Sequence, residues 1–143
     1  EWRAQDVIGP PRVRLDEGAS AVFWLRPGAP VARVVVSATN PGEIGYFLYG
    51  RDLALALGGA VLATQDMTPV PVPAGQTSRF ELLFYPQLEG LSEGARALLE
   101  AALSGIPTAL EVSGDFSVDV LGVDSYALPE DTRLRGFVYN VTP

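Results

Sequence analysis

The stretch from Val31 to Leu62 constrains the fold most, because it holds an alternating apolar run, a turn, a second such run and a glycine pair in unbroken order. Within 31–39 the even positions Ala32, Val34, Val36 and Ala38 are all apolar, while the odd ones include Arg33, Ser37 and Thr39. Period-two alternation of this kind marks a strand with one buried face in an antiparallel sheet. Asn40-Pro41-Gly42 stops it. Asn bonds its own backbone two residues on, Pro presets φ and lacks an N–H, and Gly tolerates a positive φ. Past the turn, Ile44, Tyr46 and Leu48 are even whereas Leu53, Leu55 and Leu57 are odd. The inward set therefore slips by one residue around Tyr49-Gly50-Arg51, which predicts a bulge made cheap by Gly50. Gly58-Gly59 predicts a two-residue hairpin turn that places Ala60 opposite Leu57 and Leu62 opposite Leu55.

The flanking segments add strands to this unit. Residues 1–10 read as an extended N-terminal segment closed by Pro10-Pro11, with Trp2 either a lone exposed aromatic or a plug against the domain that follows. Arg12 to Asp16 alternates as a first strand, Glu17-Gly18 turns, and Ala21 to Leu25 is a second apolar run ending at Pro27-Gly28. In that run Trp24 reads as a core aromatic, with a place in a ligand pocket as the alternative. The segment Pro69-Val70-Pro71-Val72-Pro73 is informative, because three prolines at spacing two strip the N–H donors from one side of a strand only. That composition suits an edge strand, which pairs inward and refuses a stranger outward; a proline-rich recognition segment is the alternative.

Thr77 to Tyr85 places Ser78, Phe80, Leu82 and Phe84 on one face and Arg79, Glu81, Leu83 and Tyr85 on the other. A helix is predicted over about 92–104, capped by Ser92 and ended by Gly105 and Pro107. Its stripe of Leu91, Ala95, Leu98, Leu99, Ala102 and Leu103 is a packing face, expected to cap one end or side of the sheets and to cover Leu83 and Tyr85. Thr108 to Val120 alternates Leu110, Val112, Phe116, Val118 and Val120 against Glu111, Ser113, Asp115, Ser117 and Asp119. Glu111, Asp115 and Asp119 lie about 13 Å apart in succession at strand rise, too far to share one cation, so they read as a solvated face. Tyr126 to Leu128 begins a short strand, Pro129 to Asp131 turns, and Arg133 to Val141 finishes the sheet, its arginines placed to pair with the acidic face.

Composition narrows the function. The 143 residues fit one domain, 11–143, and 48% apolar against 19% charged residues marks a folded chain. Net charge is −7 and the ten basic residues, all Arg, are scattered, which argues against nucleic acid as a partner. There is no Cys, His or Lys, so disulfides, thiolate nucleophiles and most transition-metal ligands are excluded, and no catalytic, metal or cofactor site is expected. No segment approaches the roughly 20 apolar residues that span a bilayer, and the sequence does not specify whether a membrane surface is touched.

The run from Ala32 to Asn40-Pro41, Gly50-Arg51-Asp52-Leu53, Gly58-Gly59 and Val72-Pro73-Ala74-Gly75-Gln76-Thr77 resembles the type 2 late embryogenesis abundant family, the water-stress and hypersensitive-response (WHy) domain, in a bacterial version. The resemblance spans roughly Pro11 to Val141, and Asn-Pro-Gly stands here where the family's usual turn reads Asn-Pro-Asn. It implies an all-β antiparallel sandwich of immunoglobulin or fibronectin III type with one short helix, and Asn40 and Pro41 as a structural turn. It also implies a stress-protection protein, active in drying, freezing or heat, that shields labile or unfolded client proteins through weak binding, as a monomer and without catalysis. Tyr46, Phe47, Tyr49 and Tyr85 are the candidate client contacts, on condition of exposure. The alternatives are a structural or partner-binding module of the cell envelope, a hydrolase using paired carboxylates, and a carrier of a small apolar ligand. A signal or anchor before Glu1 would place the protein in the envelope or outside the cytoplasm; without one it is cytoplasmic.

Overall fold

A computed structural model describes residues 12–120, 124–128 and 133–140, with the side chains of 124–127 left aside. The expected segment 1–10, with Trp2, and the turn at 129–131 lie outside the described residues. The chain forms β1 (Arg12–Leu15), β2 (Ala21–Arg26), β3 (Ala29–Thr39), β4 (Tyr46–Leu57), β5 (Ala60–Val72), β6 (Thr77–Phe84), α1 (Glu93–Leu103), β7 (Thr108–Val120), β8 (Asp124–Ala127) and β9 (Arg133–Val138). All strand pairings are antiparallel.

Two sheets result. In the first, β3 is central: β6 pairs along one side, while β1 and β2 lie end to end along the other, opposite Val36–Thr39 and Ala29–Arg33. The break between β1 and β2 is sealed by a side chain standing in for backbone. Ser20 Oγ accepts the Val35 N–H at 2.9 Å, and the Asp16 N–H donates to the Val35 carbonyl at 2.8 Å. The second sheet has the order β5-β4-β7, and β7 is flanked by β8 at Ser117–Val120 and by β9 at Thr108–Ser113, again end to end. Three strand positions face four, so the molecule is an all-β sandwich of the immunoglobulin and fibronectin III kind.

The core is what alternation predicts. Ala32, Val34, Val36 and Ala38 of β3 are fully buried, as are Leu53, Leu55 and Leu57 of β4, and they pack with Leu82, Phe84, Val112 and Val118. The slip in β4 is present: Arg51 pairs with Asp115 and Ala54 with Ser113, one extra residue on β4. Its left-handed residue is Asp52, at φ 53°, and Gly50 is buried, with the Leu53 side chain where a Cβ would stand. Gly114, opposite on β7, lets the backbones close in, since a Cβ there would meet the Asp52 carbonyl oxygen at 2.8 Å. The Gly58-Gly59 turn has both φ positive, at 56° and 89°, the type I′ geometry, and Leu57 pairs with Ala60. Leu55, however, pairs with Ala63 rather than Leu62, because β5 carries an extra residue between Val61 and Ala63. Leu62 still turns inward and is buried.

The helix lies across one end of the sandwich, touching β2, β4, β5 and β7. The Ser92 side chain caps it by accepting from Ala95 N. At the other end Gly105, at φ 100°, closes a Schellman motif in which Ile106 N donates to the Ala101 carbonyl and Gly105 N to that of Ala102. Asn140, just past β9, donates its N–H to the Ala102 carbonyl and its side-chain amide to that of Leu103. Ala95, Leu99, Ala102 and Leu103 are buried, and Leu98 rests on Gly58. Because the helix spans this end and does not lie along β6, it leaves Tyr85 exposed, contrary to the expected cover. Trp24 also departs from expectation: it is 42% exposed and so not a core residue. The β2–β3 register breaks between Trp24 and Arg26, and exposure climbs along β2 from nil at Val22 to 58% at Leu25, past the packed interior. No helix among the described residues is long and apolar enough to cross a membrane.

Candidate functional site

The turn after β3 is built around one side chain. Asn40 is fully buried. Its Oδ1 accepts the Gly42 N–H at 2.9 Å, the bond two residues on that the sequence predicts, and Gly42 is not among the glycines with positive φ. Its amide nitrogen donates to the carbonyls of Ile44 at 2.7 Å and Val72 at 3.2 Å, and its backbone N–H reaches the Gln76 carbonyl at 2.9 Å. One residue thus ties the ends of β3 and β5 and the loops that follow them. Every bond is to backbone, so the role is architectural.

The four aromatic candidates do not come together. Tyr46 is buried, 2% exposed, with its hydroxyl 3.5 Å from the Thr39 carbonyl, so it fails the condition of exposure. Phe47 and Tyr49 are half-buried on the outer face of the second sheet, in register with Asp119 and Ser117. Tyr85 is 52% exposed, just past the end of β6 in the other sheet.

Tyr85 instead meets residues from β2, from the segment after β6 and from the helix. With Leu25, Arg26, Leu88 and Arg96 it lines an open hollow of about 500 Å³ at the helix end of the first sheet. Trp24 adjoins Leu25 in sequence. The sequence marks where two strands end, at Pro27-Gly28 after Arg26 and at Pro86 after Tyr85, but nothing in it joins them to Arg96. Arg96 Nη2 donates to the Leu88 carbonyl at 3.1 Å. A second open hollow, about 560 Å³, runs over the outer face of the second sheet between Val61 and Phe137, both 57% exposed. On its rim Glu111 accepts from Arg133 at 3.1 Å and pairs with Arg135 at 3.3 Å, the cross-strand pairing expected of the acidic face. These pairs are exposed and contribute well under about 1 kcal/mol each.

The fold defines the class: a two-layer antiparallel sandwich whose features are turns, edges and a capped end. Among solved structures, one of similar fold is the solution structure of a protein described as late embryogenesis abundant (LEA), at a TM-score of 0.52 and 14% identity, over 94% of this chain and 74% of that one. A crystallised protein of Archaeoglobus fulgidus aligns at a TM-score of 0.48 and 10% identity, over 91% of this chain and 93% of that one. The CARDB domain of a Pyrococcus furiosus protein, crystallised in complex with di-metal ions, aligns at 0.41 and 12% identity, over 97% of each. No family model matches the chain, and no curated protein matches it in sequence.

Proposed function

We propose that this protein is a bacterial stress-protection protein of the WHy type, acting without catalysis as a shield that keeps labile or partly unfolded proteins from aggregating during drying, freezing or heat. The observation that carries the reading is the fold shared with the LEA protein over 94% of this chain, joined to the turn and glycine motifs that resemble that family. Surface physics supports it. A net charge of −7 keeps the molecule soluble as water is withdrawn. The exposed apolar side chains, Trp24, Leu25, Val61, Tyr85 and Phe137 among them, offer weak contact to apolar segments that a stressed client uncovers. Binding of this kind needs no nucleotide and no cofactor, and a monomer suffices.

The test is the residual activity of a labile dehydrogenase after drying and rehydration, alone or with equal masses of this protein, an unrelated acidic β-sandwich, or albumin. Protection at near-equimolar ratio beyond both controls is the expected outcome. Protection no better than the controls would sink the shielding function and turn attention to a fixed partner in the cell envelope.

A further inference from the structure

We infer that the hollow at the helix end of the first sheet is a docking groove for extended client segments in which apolar side chains alternate with carboxylates. The inference rests on the shielding function proposed above and assigns that function a place on the molecule.

Two observations converge. Leu25 and Tyr85, large apolar side chains 58% and 52% exposed, come from β2 and from the chain just past β6, on opposite sides of β3. Leu25 and Tyr85 line one open hollow of about 500 Å³, a volume that accommodates side chains of a bound segment. Tyr and Arg, both in this lining, are among the residues that dominate binding energy where proteins meet proteins.

Charge then selects the partner. The lining includes two guanidinium groups, Arg26 and Arg96, and one carboxylate, Glu89, a local surplus of one positive charge on a chain of net −7. The Arg26 guanidinium has no ion pair or hydrogen bond among the described residues, whereas those of Arg79, Arg133 and Arg135 are all paired with acids. Arg96 spends one N–H on the Leu88 carbonyl and keeps the rest of its fork. An apolar residue flanked by aspartate or glutamate matches the two guanidinium groups of this hollow, which a lysine-flanked one cannot engage.

The experiment measures fluorescence anisotropy of a short labelled peptide in which leucines alternate with aspartates, against the same peptide with lysines. Expected is a preference of about tenfold or more for the acidic peptide, with affinity about tenfold weaker in a Leu25→Ser, Tyr85→Ser variant. The Arg26→Glu, Arg96→Glu variant is expected to invert the preference. All four positions are exposed, so circular dichroism should show an unchanged fold. A Val61→Ser, Phe137→Ser control on the other sheet should bind as the parent does. Equal affinity for both peptides, an equal loss in the control, or binding to anionic phosphatidylglycerol vesicles with none to peptide would each overturn the groove. Failure of the groove is separable from failure of the function. Drying protection that survives in variants without peptide binding leaves shielding intact and removes the groove from it. Selective peptide binding without drying protection keeps the groove and removes the shield.

Discussion

The second sheet ends on two edges closed by different chemistry. On β5 the closure is covalent. Pro69, Pro71 and Pro73 are exposed and lack an outward N–H, while Val70 and Val72 between them pair inward with Leu48 and Tyr46. The Pro71 carbonyl is also occupied, by Ser78 Oγ at 2.7 Å. On β9 the closure is borrowed from a distant part of the chain. The outward Phe137 N–H donates to Glu17 Oε1 at 2.6 Å, and Gly136 lets Leu15 and Glu17 press against the strand. The prolines protect their edge even in the unfolded chain. The carboxylate protects its edge only once β1, the following turn and β9 have assembled. Both devices answer one hazard, a row of free donors that templates pairing with another molecule.

Four substitutions test that difference, from the largest expected effect to the smallest. Asn40→Ala should cost about 3 kcal/mol in urea unfolding, because it strips partners from the Ile44 and Val72 carbonyls and the Gly42 N–H at a fully buried position and frees the end of the proline edge. Gly136→Val should cost about 2 kcal/mol, since its Cβ would stand 2.5 Å from Leu15 Cδ2 and 2.6 Å from Glu17 Cγ; the Phe137 amide should exchange faster in the same sample. Glu17→Ala should cost about 1 kcal/mol and raise concentration-dependent light scattering of the folded protein. Pro71→Val should change stability by less than about 0.5 kcal/mol. Its signature is expected instead during refolding from denaturant, as aggregation absent from the parent. Aggregation of the folded Pro71→Val protein to the same extent as Glu17→Ala would erase the distinction between the two edges.

The proline edge was legible in sequence because its signal is local: spacing two, small apolar residues between, no donor on one side. The same holds for β3, the Gly58-Gly59 turn and the Ser92 cap, each set by residues adjacent in the chain. The β9 edge was not legible, because Glu17 and Phe137 are brought together only by the closing of the sandwich. Parity also left the inward face of β9 open; burial of Leu134 and Val138 puts Phe137 and the arginines outside. The core placement expected of Trp24 fails for a different reason. A strand's period tells which way a side chain points, not whether an opposing layer reaches that far. The groove around Tyr85 joins residues 25, 26, 85 and 96, whose proximity no pattern along the chain encodes.

Asn40 has one more consequence, in the chemistry of ageing. Asparagine deteriorates when the backbone nitrogen of the next residue attacks its side-chain amide, closing a succinimide and releasing ammonia. Here the next residue is Pro41, whose nitrogen carries no hydrogen to lose. Conversion to aspartate would replace the two-donor amide with an anion facing the Ile44 and Val72 carbonyls, at a fully buried position. The Asn-Pro pair closes that route at the position least able to tolerate it. The clasp at the end of β3 thus ages on a clock that this reaction does not run.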